Sequence, residues 1–366
     1  MNQGGIGMRK GICSLVMLLS LVLVVAGCGN GGSKEAASPD ASQAPVASPS
    51  TAAESASASN GELPPPEKSK LTLRLNWKFK GEFAPFFVTK SKGIFEKYGL
   101  DVEVLEGTSS VQTLQVVSQN KDDIGVTSTV EPLQGVEKGM GVKIIASYMS
   151  RSPIQILSFS DNPIATPKDL EGKTLATSIS STFTNVYDQF LSVNGVDGSK
   201  VKLVKVETGA RNTLFLNKEV DGVAVFSTNE YPMFEQKLGE KLTPLYTADF
   251  GFDIAGLTLV ASDKFLQDNP NTTKRLLAAL SEGFQYTFDH PEEAAQIAKG
   301  IFPDTVDEKL TVEQIKRTAE LAIFGDKPIG WLNEDNLKNT ADVLTNSGML
   351  KAAPNPSDYY TNEFFQ

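Results

Sequence analysis

Short apolar stretches separated by helix-starting loops recur along this chain, and that alternation restricts the fold more than any single residue does. Leu71-Thr72-Leu73-Arg74-Leu75 alternates with period two and stops at Asn76, where a polar and aromatic stretch through Phe83 takes over. Ala84-Pro85 opens a helix predicted to run to about Lys97, because proline is accommodated in a first turn, and Gly99 ends it. A strand over 100–105 then precedes the helix-starting run Gly107-Thr108-Ser109-Ser110. A strand over 123–126 leads through Thr127-Ser128-Thr129 into a helix over 131–138, and 143–148 reads as a strand again. This β-α-β-α-β order predicts a mostly parallel sheet with helices on its faces. Ligands of such sheets bind beyond the carboxyl ends of the strands, so the connecting loops are the candidate binding loops.

A second series of the same design begins after Asp161. Strands are predicted over 174–177, 201–206 and 222–226, followed by Ser178-Ile179-Ser180-Ser181-Thr182, by Thr208-Gly209 and by Ser227-Thr228-Asn229-Glu230-Tyr231, each at the start of a helix. Two series imply two lobes, with strand-like crossings near 154–159 and 254–261. The expected division gives 69–160 and 255–366 to the first lobe and 161–254 to the second. The stretch from Asp263 to Gln366 reads as helices that pack on the first lobe.

The residue inventory removes many chemistries. The two cysteines, Cys13 and Cys28, both precede the folded body, so that body is expected to hold no disulfide framework and no cysteine-built zinc site. A lone histidine, His290, leaves histidine triads and multi-histidine metal sites without material, and no metal or cofactor is expected. His290 sits in Asp289-His290-Pro291-Glu292-Glu293, which reads as a helix junction. Asp122-Asp123 and Glu292-Glu293 read as solvated turn and helix-start charges.

The first residues read as an address. Arg9 and Lys10 precede the apolar run 12–25, which closes on Val25-Ala26-Gly27-Cys28, the order of a bacterial secretion signal ending in a lipobox. The run is shorter than the roughly 20 apolar residues a membrane span needs. Residues 1–27 are therefore expected to be removed and Cys28 to be acylated, with more than one chain providing a stable anchor. Losing Arg9 and Lys10 makes a formal charge of −10 more negative still, which disfavours nucleic acid and anionic lipid surfaces and leaves the lipid as the sole membrane contact. Residues 28–68 are rich in Ser, Ala, Pro and Gly and contain no aromatic residue, the composition of a flexible tether.

Leu75-Asn76-Trp77, Glu82-Phe83-Ala84-Pro85-Phe86-Phe87-Val88, Lys92-Gly93-Ile94-Phe95-Glu96 and Gly99-Leu100-Asp101-Val102 resemble the opening of ABC-transporter substrate-binding proteins of the thiamin-pyrimidine, riboflavin, alkanesulfonate, taurine and nitrate superfamily. Asp169-Leu170-Glu171-Gly172-Lys173, Thr228-Asn229-Glu230-Tyr231 and Tyr360-Thr361-Asn362-Glu363-Phe364 extend the resemblance across the body. It implies an α/β, two-lobe, periplasmic-binding-protein-like (type II) fold with a hinge between the lobes. It also implies a monomer on the extracytoplasmic face of the cell membrane that hands a small molecule to an ABC permease and its ATPase, with no covalent chemistry. Pyrimidine synthases of similar fold depend on an active-site histidine and a cysteine cluster, and this chain has neither.

Within that resemblance Trp77 and Asn229-Glu230 look most like the parts that hold thiamin pyrimidine precursors or related aromatic heterocycles. Trp77 offers a stacking face, Asn229 a donor and an acceptor, and Glu230 an acceptor for an exocyclic amine. Glu82 stands near the place where such binders often carry a histidine. Ser109, Ser110, Thr127, Ser128, Ser178, Ser180 and Ser181 offer hydroxyls and backbone N–H groups at helix starts, which also suit a sulfonate or nitrate, with Arg151 as a neutralising cation; capping alone accounts for the same residues. Phe79, Phe83, Phe183 and Phe226 make the cleft more apolar than nitrate requires or pack as ordinary core. Trp77→Ala and Glu230→Ala are each expected to weaken binding by about tenfold or more, with the fold intact.

Overall fold

The alternating leucines of the first strand set the architecture. Leu71, Leu73 and Leu75 turn into the core while Thr72 and Arg74 stay half-buried, so β1 (Lys70–Arg74) presents one apolar face to packing helices. The computed structural model describes residues 63–365. The expected signal segment, Cys28 with its expected acylation and most of the expected tether lie outside them. No helix among the described residues is long and apolar enough to cross a membrane.

The remaining strands are β2 (Asp101–Leu105), β3 (Ile124–Ser128), β4 (Val142–Ser147), β5 (Ile154–Phe159), β6 (Thr174–Ser178), β7 (Lys202–Val206), β8 (Gly222–Phe226), β9 (Leu242–Tyr246) and β10 (Leu257–Ser262). They form two five-stranded sheets, ordered β2-β1-β3-β10-β4 and β7-β6-β8-β5-β9. Each sheet has a parallel half, β2-β1-β3 and β7-β6-β8, as the sequence predicts. In each, one strand arrives from the other lobe and runs antiparallel between two neighbours: β10 between β3 and β4, β5 between β8 and β9.

That crossing corrects the expected boundary at residue 160. The chain leaves the first sheet directly after β4, and β5 belongs to the second, where its whole length pairs with β8 and β9. The return follows β9. The two connections lie side by side, joined by hydrogen bonds from Gly256 N–H to the Met149 carbonyl (3.0 Å) and from Tyr148 N–H to the Leu257 carbonyl (2.9 Å). A Cβ at Gly256 would stand 2.6 Å from Met149 Cβ and 2.7 Å from the Arg151 carbonyl, so only glycine lets the two hinge segments approach this closely.

The helices of the first half are α1 (Ala84–Ser91), α2 (Ile94–Lys97), α3 (Ser110–Ser118) and α4 (Val130–Glu137). The single helix expected over 84–97 is broken in two, because Gly93 takes a left-handed conformation with φ of 68°. The second half adds α5 (Thr182–Val193), α6 (Thr208–Leu216) and α7 (Glu230–Leu238). The C-terminal series is α8 (Asp263–Asp268), α9 (Pro270–Asp289), α10 (Pro291–Ile301), α11 (Glu308–Leu321), α12 (Glu334–Asn346) and α13 (Pro356–Tyr359). It packs mainly on the first lobe, α9 and α10 against α1, and α12 and α13 against α4. Aromatic contacts stitch this layer together: Tyr148 stacks on Phe284 at 4.1 Å, and Phe79 on Phe302 at 4.5 Å.

Candidate functional site

The carboxyl ends of the parallel strands from both lobes face one another across a cleft. β1 delivers Asn76 and Trp77, the following 3₁₀ turn Gly81–Phe83 delivers Glu82, and the start of α3 delivers Ser110. From the other side come Ser178, Ser180 and Ser181 after β6, Thr208 and Arg211 on α6, and Phe226, Asn229 and Glu230 after β8. These residues enclose a cavity of about 60 Å³, several times what one ordered water needs.

Of the residues expected at the site, Trp77, Glu82, Ser110, Ser178, Ser180, Ser181, Asn229 and Glu230 border the cavity. Ser109, Thr127 and Ser128 do not. Ser109 caps α3 by accepting from the Gln112 N–H at 3.1 Å, and Ser128 Oγ accepts from the Val130 N–H at 3.3 Å. Thr127 is fully buried within β3. Ser181 does both jobs, capping α5 through the Thr184 N–H at 3.3 Å while bordering the cavity. Phe183 and Phe226 line the cavity, whereas Phe79 and Phe83 belong to the first-lobe core. Arg151 stands in the hinge, ion-paired with Asp249 (2.7 Å) and Asp253 (3.1 Å), and does not border the cavity.

Arg211, Asn76 and Lys80 are cavity residues that sequence reasoning missed. Arg211 lies in a helix that follows a strand end, the one signal that pointed to it. Its guanidinium is buried with the Glu230 carboxylate at 2.8 Å, the two side chains only 5% and 9% exposed, and it also donates to Asn212 Oδ1 and the Ala224 carbonyl. Burial pushes the Glu230 pKa up, but the charges of Arg211 and Lys80 outweigh it and hold the carboxyl below its ordinary value. Asn76 is 6% exposed; its Nδ2 donates to Ser110 Oγ at 3.1 Å, and its Oδ1 has no partner among the described residues. Asn229 Oδ1, on the opposite lobe, is likewise buried without a partner. Two unpaired acceptors thus flank the cavity, each a cost that a donor would relieve.

Glu82 differs from Glu230. It is 4% exposed, and its Oε2 accepts from Thr228 Oγ1 of the second lobe at 2.7 Å. Burial raises its pKa to about 7, against the pull of the Thr228 and Asn229 side chains. Glu131, at the start of α4, is also pushed by burial to about 7, with Ser128, Asn185 and Thr182 opposing. A carboxyl whose folded pKa lies above its unfolded value contributes stability that is complete below about pH 4.5 and lost as pH rises through 7. The melting temperature is therefore expected to fall between pH 5 and 8, and Glu82→Gln to flatten part of that fall. A melting temperature that rises over the same range would contradict the assignment. Glu230, with its lowered pKa, acts in the opposite sense and only in more acidic solution.

The profile described as NMT1/THI5 like matches residues 80–294, more than half of the chain and both lips of the cleft. The chain belongs to the NMT1/THI5-like family. Riboflavin-binding protein RibY of Chloroflexus aurantiacus is 23% identical over 330 residues, covering 86% of this chain and 92% of that protein. A Legionella pneumophila protein named 4-amino-5-hydroxymethyl-2-methylpyrimidine phosphate synthase is 22% identical over 233 residues, 63% of this chain and 73% of its own length. The crystal structure of the periplasmic aliphatic sulphonate binding protein SsuA from Escherichia coli superposes with a TM-score of 0.62 at 16% identity, covering 80% of this chain and 91% of that one. The fold is accordingly the two-lobe one of periplasmic binding proteins. This family member's one histidine, His290, is exposed at the α9–α10 junction, 4.6 Å from the Tyr286 ring, and does not border the cavity. Among the described residues no group of His, Cys, Asp and Glu is arranged to hold a metal.

Proposed function

We propose that this protein is the lipid-anchored, extracytoplasmic solute-binding component of an ABC importer, and that its cleft takes a small, amine-bearing aromatic nitrogen heterocycle of the thiamin-pyrimidine-precursor kind. The observation that carries the reading is the surplus of acceptors: Asn76 Oδ1 from one lobe and Asn229 Oδ1 from the other are buried without donors. A ligand with exocyclic N–H groups and a flat ring satisfies both while stacking on Trp77, and by touching both lobes it favours their closure. Of the two cations that border the cavity, Arg211 is neutralised by Glu230, and Lys80 faces the buried carboxyls of Glu82 and Glu230, which disfavours an anionic ligand. The family relationship supports the heterocycle, because one relative is named for riboflavin and another for a pyrimidine phosphate. Binding without chemistry is supported by the position of His290 outside the cleft.

A thermal-shift screen of the full chain against pyrimidines, flavins, alkanesulfonates and nitrate tests this reading. A ligand at about a hundred times its Kd adds about 2.7 kcal/mol of stability. The expected result is a shift with an aminopyrimidine or flavin and none with sulfonate or nitrate. A shift confined to the anions would overturn it.

A further inference from the structure

The α11 helix lies outside the cavity lining, yet it holds both lips of the cleft and the hinge. Gln314, 6% exposed, accepts through Oε1 from the Gly81 N–H at 3.0 Å, and Gly81 opens the turn that carries Glu82. The other end of the same side chain, Nε2, donates to the Asn229 carbonyl of the second lobe at 3.1 Å. One helical turn further along, the Arg317 guanidinium lies 4.5 Å from the centre of the Tyr231 ring. Asn229 and Tyr231 bracket Glu230, so α11 grips the residues on either side of a cavity-lining carboxylate. At its end, the Leu321 carbonyl accepts from the Ser150 N–H (2.8 Å) and Ser150 Oγ (2.9 Å), in the connection between β4 and β5.

We propose that α11 is the closure latch of this protein, with Gln314 and Arg317 as positioning residues that set how long the two lobes stay together without touching the ligand. The inference rests on the solute-binding reading. Its physical basis is that the Gln314–Asn229 bond and the Arg317–Tyr231 contact both cross between lobes, so each forms on closure and is lost on opening. A ligand that draws Asn229 and Trp77 together favours the same closed arrangement, which the ligand-free chain also visits, and so lengthens the time the Asn229 carbonyl spends under Gln314. Release is then slowed by groups that discriminate nothing about the ligand.

Gln314→Glu separates a latch from a structural prop. A carboxylate still accepts from the Gly81 N–H but has no donor for the Asn229 carbonyl, whereas Gln314→Ala loses both bonds. The experiment measures two things on full-length wild type, both Gln314 variants and Arg317→Ala. One is amide hydrogen exchange over residues 80–83 and 226–232 in the ligand-free protein. The other is the dissociation rate of 4-amino-5-hydroxymethyl-2-methylpyrimidine. All three variants are expected to exchange faster over 226–232 and to release the pyrimidine about threefold to tenfold faster, the range of one hydrogen bond or one cation–π contact. Gln314→Glu is expected to keep wild-type protection at Gly81. If Gln314→Glu matches the wild type in both measurements, Gln314 merely supports Gly81 and the latch is overturned. A wild type that takes up no pyrimidine overturns the functional reading instead, while exchange over 226–232 still decides whether α11 holds the lobes together.

Discussion

Glu230→Ala is expected to lower the stability of the protein by about 3–5 kcal/mol, the cost of leaving one member of a buried ion pair without the other. Arg211 would keep its bonds to Asn212 and the Ala224 carbonyl but carry an uncompensated charge on a side chain only 5% exposed. The prediction departs from what the sequence alone suggests, because Glu230 read as a free acceptor for ligand has no apparent structural duty. The control is Arg211→Leu combined with Glu230→Ala, which removes both charges and is expected to regain much of the loss. Chemical denaturation of the single and double variants measures this directly. A single variant within about 1 kcal/mol of wild type would mean that the pair is not a structural unit.

Trp77→Ala carries the second large effect, on affinity rather than stability. The ring is half-buried at the cleft edge and rests against the first-lobe core, so its removal is expected to cost less than about 2 kcal/mol of stability. Binding of a flat heterocycle is expected to weaken by at least about tenfold, because stacking is worth on the order of 1 kcal/mol beyond the apolar area it buries and both are lost. Trp77→Phe keeps a smaller stacking face and is expected to retain an intermediate affinity. Titration of the three proteins with the same pyrimidine decides it. Equal affinities would remove Trp77 from the site.

Much of this molecule was legible residue by residue. The period-two leucines of β1 and the hydroxyl runs after β2 and β6 are local signals, and the caps at Ser109 and Ser181 stand where those runs imply. β9 escaped notice because Pro244 interrupts it, and a strand with proline is tolerated there only because β9 is the edge of its sheet. The lobe to which β5 belongs depends on pairing with β8 and β9, partners far along the chain that no local pattern names. The site divides in the same way. Trp77, Asn229 and Glu230 are marked out in the sequence by the family resemblance and border the cavity, but the pairing of Glu230 with Arg211 and the bridge from Gln314 to Gly81 and Asn229 are made by the fold. Burial, which gives Glu82 and Glu131 their raised pKa values, is equally invisible in the sequence of residues around them.

Capture without chemistry between two lobes is tested most directly by calorimetric titration of the purified full-length protein with 4-amino-5-hydroxymethyl-2-methylpyrimidine, followed by denaturation and mass analysis of the released ligand. The predicted result is one molecule bound per chain and recovered at its original mass. A ligand recovered with altered mass, or no binding at any concentration reached, would contradict it.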